Sequence, residues 1–178
     1  MLEKTFSFLR EKLHYDEIVY SLLAPHINGG KVLSVGCGDG TIESLLRERL
    51  KVKIQGVEVT KYRESKIPVA IYNGRRLPFQ DNSFETSLFV YMLHHVEDIE
   101  PLLAEVVRVT RKTIIILDHY SSDTMSRFFL KVYDYFVNIP FGMPLPFNFL
   151  EIPQWKEMFS RHNLEIEEAS VPSSMNVF

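Results

Sequence analysis

The run Val32-Leu33-Ser34-Val35-Gly36-Cys37-Gly38-Asp39-Gly40 constrains the chain more than any other part of it. An apolar strand runs into a turn with three glycines in five positions, and a helix start follows at Thr41. Without Cβ atoms such a turn can bend tightly and let a ligand come close to the main chain. Glu58, eighteen residues after Gly40, ends the next apolar run in Val57-Glu58-Val59. An acid about 20 positions beyond such a turn is placed to accept hydrogen bonds from the two hydroxyls of a ribose. The expected ligand contains a nucleoside.

Strand and helix patterns alternate from there. Lys31–Val35, Ile54–Glu58, Val69–Tyr72, Ser87–Tyr91 and Thr113–Asp118 read as strands. The helix from Thr41 turns Ile42, Leu45, Leu46 and Leu50 inward, and another carries Ile99, Leu102, Leu103, Val106 and Val107. Apolar runs separated by helices predict a parallel sheet with both faces covered. Ahead of it, Leu2 to Leu13 and Asp16 to Ile27 show helical spacing, and Asn28-Gly29-Gly30 ends the second helix.

The segment from Thr124 to Trp155 differs in kind, with nine aromatics in thirty-two residues and Pro140, Pro144, Pro146 and Pro153 in its second half. It reads as a helix followed by an irregular lid that either packs on the core or walls an apolar pocket. Gln154 to His162 reads as a last helix and Leu164 to Ala169 as a sixth strand. The predicted organisation is one domain over 1–178: a helical cap (1–27), a core (31–118), the lid (124–155), and a final helix and strand (156–178).

Gly-x-Gly-x-Gly is one residue shorter than the Gly-x-Gly-x-x-Gly of dinucleotide binders, whose pyrophosphate needs a helix N-terminus aimed at it. That disfavours a nicotinamide-dependent oxidoreductase. Val-Leu-x-Val-Gly-Cys-Gly-x-Gly instead resembles the first motif of class I S-adenosylmethionine-dependent methyltransferases. Asn73-Gly74-Arg75-Arg76-Leu77-Pro78-Phe79-Gln80-Asp81-Asn82-Ser83-Phe84-Glu85 and Leu93-His94-His95-Val96-Glu97-Asp98 resemble the small-molecule, quinone-biosynthesis-like branch of that family, and the likeness covers roughly residues 15 to 120.

The resemblance implies a three-layer, doubly wound, Rossmann-like, mostly parallel sheet of order 3-2-1-4-5-(7)-6. Only Met175 to Phe178 remain for the seventh strand, which is therefore missing or a stub, and the open edge invites a homodimer or a partner chain. It also implies S-adenosyl-L-methionine as cofactor, S-adenosyl-L-homocysteine as product, and these cofactor-binding positions: Ser34, Gly36, Cys37, Gly38, Gly40, Glu58, Val59, Asn73, Gly74, Arg75, Tyr91 and Met92. Ser34 and Asn73 stand where relatives commonly carry acids. Each can still hydrogen-bond, without the charge.

Methyl transfer from a sulfonium depends mainly on alignment and exclusion of water, so no invariant nucleophile is needed. Where a base is used, the candidates at the carboxyl ends of strands four and five are His94, His95, Asp118, His119 and Tyr120, with His94 first. Phe89-Val90-Tyr91-Met92 replaces the Asn/Asp-Pro-Pro-Tyr that relatives acting on adenine or amide nitrogens carry. The lid points to a small apolar or aromatic acceptor; a non-catalytic subunit acting through a protein partner is the alternative.

A net charge of −3 gives no general basic surface for nucleic acid, and Arg47, Arg49, Lys51 and Lys53 read as solvated surface. No apolar run approaches the ~20 residues of a membrane span. The single Cys37 excludes an internal disulfide, and Met1-Leu2-Glu3-Lys4 begins no signal sequence, so a cytoplasmic protein is expected. The histidines lie at no metal-ligand spacing, and no metal is expected.

Overall fold

The computed structural model describes residues 14–61, 64–120, 124–138 and 145–170. Five strands, β1 (Lys31–Val35), β2 (Lys53–Glu58), β3 (Val69–Ile71), β4 (Phe84–Val90) and β5 (Thr110–Leu117), form one sheet in the order β3-β2-β1-β4-β5. Every pairing is parallel, as the alternation with helices predicts. The chain leaves β1 toward β2 and β3 and later returns to place β4 on the other side of β1. The topological switch therefore falls between β1 and β4, where ligands settle beyond the strand ends.

Register sorts the two faces. Val32, Ile54 and Leu88 turn toward α1 (Tyr15–Leu23) and α2 (Thr41–Leu50), where Val19, Leu23, Ile42 and Leu46 complete one buried cluster. Leu33, Val35, Val57 and Phe89 turn the other way, toward α3 (Ile99–Val109) and α5 (Ile152–Arg161), and meet Leu103, Val106 and Met158. A strand with apolar side chains on both faces cannot lie at a surface, which is why these runs show no polar alternation. Together the two clusters make a three-layer sandwich.

Local chemistry sets the ends of the elements. Thr41 N–H and hydroxyl both donate to Asp39, fixing the first turn of α2, and Lys51 in the left-handed region ends it. Asp98 caps α3 by accepting from the Glu100 N–H at 3.3 Å. α5 begins with a capping box between Glu151 and Gln154 and a proline in its first turn.

Two expectations shift. The sixth strand over Leu164 to Ala169 does not form: Leu164 N–H closes the end of α5 on Phe159 O and its side chain joins the core, while Ile166 stays 44% exposed. Alternating apolar and acidic residues give a strand pattern, but among the described residues no strand lies alongside to pair with it. The aromatic segment divides: Phe149 is buried, whereas α4 (Thr124–Asn138) leaves Phe128, Phe129 and Phe136 exposed. The predicted helix over Leu2 to Leu13 and the seventh-strand stub lie outside the described residues. No helix among the described residues is long and apolar enough to cross a membrane.

Candidate functional site

The glycine turn is tied to β2 at two points. Gly36 N–H donates to Val57 O at 2.9 Å, and Gly38 N–H donates to Glu58 Oε1 at 2.7 Å. Val59 N–H approaches the other carboxylate oxygen at 3.3 Å. Glu58 is 9% exposed; burial raises its carboxyl, and the two backbone donors oppose that. The acid thus faces the turn and retains lone pairs for further donors.

The apex of the turn is open. Gly38 sits at φ +57°, and a Cβ there would meet nothing within 4 Å. Next to it the apolar side chains of Val59 and Ile71 stand exposed at the ends of β2 and β3. An accessible main chain, a carboxylate beside it and an apolar shelf one strand over suit, in that order, a charged tail, a sugar and a base. The donor set fits an adenosyl group.

Cys37 owes its place to Gly56, the β2 residue beneath it: a Cβ on Gly56 would lie 2.5 Å from Cys37 Sγ. Burial pushes the thiol up to about 12, so the residue acts through shape and backbone. Gly40 is pinned against Ile67, and Met92 lies over Gly36.

Asn73 works differently from its sequence expectation. Its carboxamide oxygen accepts from Arg75 N–H at 3.0 Å and Arg76 N–H at 3.3 Å, folding the turn that presents Gly74 rather than facing outward to a ligand. Behind this turn Arg108 of α3 donates to Leu77 O, Phe79 O, Asp81 and Glu105, while Glu105 also accepts from Leu77 N–H. One guanidinium therefore clamps the whole loop after β3 to α3.

Ser34 is 1% exposed and does not open on the cleft. It points to the α1–α2 side, where its hydroxyl donates to Glu43 Oε1 at 2.6 Å. Glu43 is itself 3% exposed, and burial raises its carboxyl while the serine hydroxyl works against that. The acid absent at position 34 is thus matched by one on α2 behind it. Sequence reading missed Glu43 because an acid in a first helical turn is ordinary.

The second half of the site gathers where β4 and β5 end. Tyr91, held at φ 50° with its N–H on Leu117 O, turns the chain into a short 3-10 helix, Leu93–His95. Asp118 receives Leu93 N–H, His119 N–H and the Nδ1 of His94 on one carboxylate. The other ring nitrogen of His94 lies 3.5 Å from Asp134 Oδ1, and His95 Nε2 lies 3.9 Å from the same atom. Asn148 N–H bonds His94 O, its side chain bonds Val96 O, and Phe149 stacks on the His94 ring at 5.3 Å.

Burial alone would disfavour a charge on His94, but the carboxylates of Asp118 and Asp134 outweigh it and raise the imidazole to about 9. His94, the first of the base candidates read from sequence, is in this structure an ion-paired ring. His119 is lowered, chiefly by burial.

The structure brings Gly36, Cys37, Gly38, Gly40, Glu58 and Val59 together, with Gly74 near Val59 and Met92 against Gly36, while Tyr91 and His94 both lie beside His119 where β4 and β5 end. Asp134 was missed by the sequence reading: it lies on α4, forty positions from His94, amid aromatic residues that gave no ligand spacing.

Residues 33–117 match the family profile described as a methyltransferase domain. The phosphatidylethanolamine N-methyltransferase of Cereibacter sphaeroides is 30% identical over 121 residues, 56% of this chain and 57% of that protein. The ubiquinone/menaquinone biosynthesis C-methyltransferase UbiE of Desulfotalea psychrophila is 33% identical over 92 residues, 46% of this chain and 37% of that one. A solved structure from Thermotoga maritima, described as a methyltransferase and a possible histamine N-methyltransferase, superposes with a TM-score of 0.68 at 21% identity, over 91% of this chain and 78% of that one. At that identity the likeness speaks for the fold. The chain spans between 37% and 57% of the length of the curated relatives it matches.

Proposed function

We propose, from the premise that residues 33–117 form a class I S-adenosylmethionine-dependent methyltransferase domain, that this chain transfers a methyl group to a small apolar or aromatic acceptor. The observation that carries the reading is Glu58, buried and turned onto the glycine turn beside an open apex. The cofactor, S-adenosyl-L-methionine, supplies an electrophilic methyl on a positively charged sulfur. Glu58 would hold the ribose hydroxyls, Val59 and Gly74 the adenine, and the backbone of Gly36, Gly38 and Gly40 the methionyl end. Ser34, buried against Glu43, would act from behind the turn, and Arg75 would border the adenine edge through its backbone.

Bound here, the cofactor would offer its methyl carbon to an acceptor electron pair, with the carbon–sulfur bonding pair leaving on sulfur and the proton of a heteroatom acceptor passing to a neighbouring group or to water. The protein's share is alignment and dryness, worth on the order of 7–11 kcal/mol when reacting groups are well oriented. Tyr91 and Met92 would line the cofactor's reactive end, and His94 is the side chain we assign to the acceptor.

An apolar acceptor is supported by the ring of Phe149 over His94 and by the exposed aromatic face of α4. Both curated relatives described above carry names that specify methyl transfer, one to a lipid and one in quinone biosynthesis. Methyl-labelled cofactor offered with phospholipid, quinol, phenol and polar amine acceptors tests the reading. Label should enter the apolar classes and should fall at least tenfold in His94→Ala with cofactor binding kept. Label confined to polar amines, or unchanged turnover in that variant, would remove the assignment.

The remaining sequence expectations are carried forward as proposals: residues 1–178 form one domain, the protein is cytoplasmic and takes no nucleic-acid partner, and the open sheet edge pairs with a second copy or with a partner chain. Sedimentation that gives a concentration-independent monomer would count against the pairing.

A further inference from the structure

We infer that His94, His95 and Asp134 form a site for one divalent transition-metal ion of the zinc type. The three side chains come from two separate elements, the 3-10 helix after β4 and the aromatic helix α4, yet their ligand atoms all lie within 4.8 Å of one another. His94 Nε2 and His95 Nε2 stand 3.5 and 3.9 Å from the single atom Asp134 Oδ1. Ligands on a tetrahedral ion with bonds of about 2.0–2.1 Å are separated by roughly 3.3–3.4 Å, so the two gaps to Asp134 need to close by only about 0.2–0.6 Å and none of the three by more than about 1.5 Å.

Three further features favour an ion over a plain salt bridge. First, a salt bridge to Asp134 needs one imidazole, and here two converge on one oxygen, with ring centroids 4.1 Å apart. Second, the Nδ1 of His94 is taken by Asp118, which aims Nε2 at the shared point, and Asp118 is itself fixed by the N–H groups of Leu93 and His119. An imidazole oriented through its far nitrogen by a carboxylate is the usual support of a metal-bound histidine. Third, the place is dry, with the side chains of His94, Asp134 and His95 only 4%, 5% and 11% exposed. Two buried carboxylates flank it and draw positive charge inward.

Two nitrogens and one carboxylate oxygen suit zinc or iron(II), not magnesium or calcium, which prefer all-oxygen shells. Three protein ligands leave a fourth position open. That position would take an oxygen or nitrogen of the acceptor, a role that rests on the methyltransferase reading; the binding itself does not.

The test uses the whole purified chain, stripped with a chelator and titrated with zinc chloride by calorimetry and with cobalt chloride by visible absorption. One equivalent should bind, with a d–d band from cobalt. Asp134→Asn and His95→Gln should each weaken zinc at least 100-fold, and Asp118→Asn 10- to 100-fold. If Asp134→Asn fails to fold, the less buried His95→Gln decides. A folded wild type with no cobalt band, or zinc affinity unchanged in the folded variants, overturns the site. Binding of S-adenosylhomocysteine is read separately on the same samples: metal without nucleoside binding would sink the methyltransferase reading alone, and nucleoside without metal binding this inference alone.

Discussion

Replacing Gly56 by alanine should disturb the cofactor turn from beneath, and removing the thiol above it should restore the turn. A Cβ on Gly56 would lie 2.5 Å from Cys37 Sγ, 3.0 Å from Ile67 Cδ1 and 3.1 Å from Val69 Cγ2. Comfortable contacts are about 3.5–4.0 Å, so Cys37 must yield by about an ångström. Its neighbours are Gly36 and Gly38, so the displacement reaches the bond from Gly38 N–H to Glu58. Overpacking of this kind costs about 1–3 kcal/mol, and alanine in a strand recovers about 0.5–1 kcal/mol, leaving Gly56→Ala destabilised by up to about 2.5 kcal/mol. Affinity for S-adenosylhomocysteine should drop about tenfold, the equivalent of about 1.4 kcal/mol. Cys37→Ala alone costs about 1 kcal/mol for the lost sulfur.

The double variant lacks the worst clash, and only the ends of Ile67 and Val69 have to adjust. It should therefore be at least about 1 kcal/mol more stable than the sum of the single effects and should bind the nucleoside better than Gly56→Ala. Urea unfolding of the four proteins with calorimetry on each gives the cycle. Effects that add to within about 0.3 kcal/mol, or a Gly56→Ala protein as stable as wild type with full affinity, would refute the packing argument.

Arg108→Ala removes the donor that holds Leu77, Phe79, Asp81 and Glu105 together and should cost about 2–3 kcal/mol in urea unfolding. Lysine cannot reproduce the fork and should rescue little; a loss under about 0.5 kcal/mol would contradict the clamp. Glu43→Gln keeps an acceptor for Ser34 and removes a buried charge. Because burial raises the Glu43 carboxyl, its contribution to stability is complete below the ordinary value of 4.5 and is lost as pH rises through the folded value. The variant lacks that slope, so its stability relative to wild type should improve from pH 5 to pH 8; an equal offset at both pH values would show that Glu43 does not titrate this way.

What could be read in advance was what depends on local sequence. The glycine turn, the strand before it and Glu58 declare themselves because backbone sterics and a fixed loop length demand them. Apolar runs between helices placed all five strands of the parallel sheet, although β4 and β5 each begin three residues earlier than the apolar core suggested. The sixth strand misled because alternation describes a strand but supplies no partner for it. Ser34 misled because strand periodicity did not reveal that its hydroxyl points at α2, away from the cleft. Asp134 was hidden because its partners arrive through tertiary folding of an aromatic helix, where sequence spacing carries no signal.

Calorimetric titration of S-adenosylhomocysteine into wild type and Glu58→Ala puts the most direct question to the account. Wild type should bind one equivalent, and the variant should lose roughly 10- to 150-fold in affinity, the 1.5–3 kcal/mol of a hydrogen bond to a charged group. A folded wild type that takes up no nucleoside, or a folded Glu58→Ala that binds it as well as wild type, would contradict the claim that this turn and this acid hold the methyl donor.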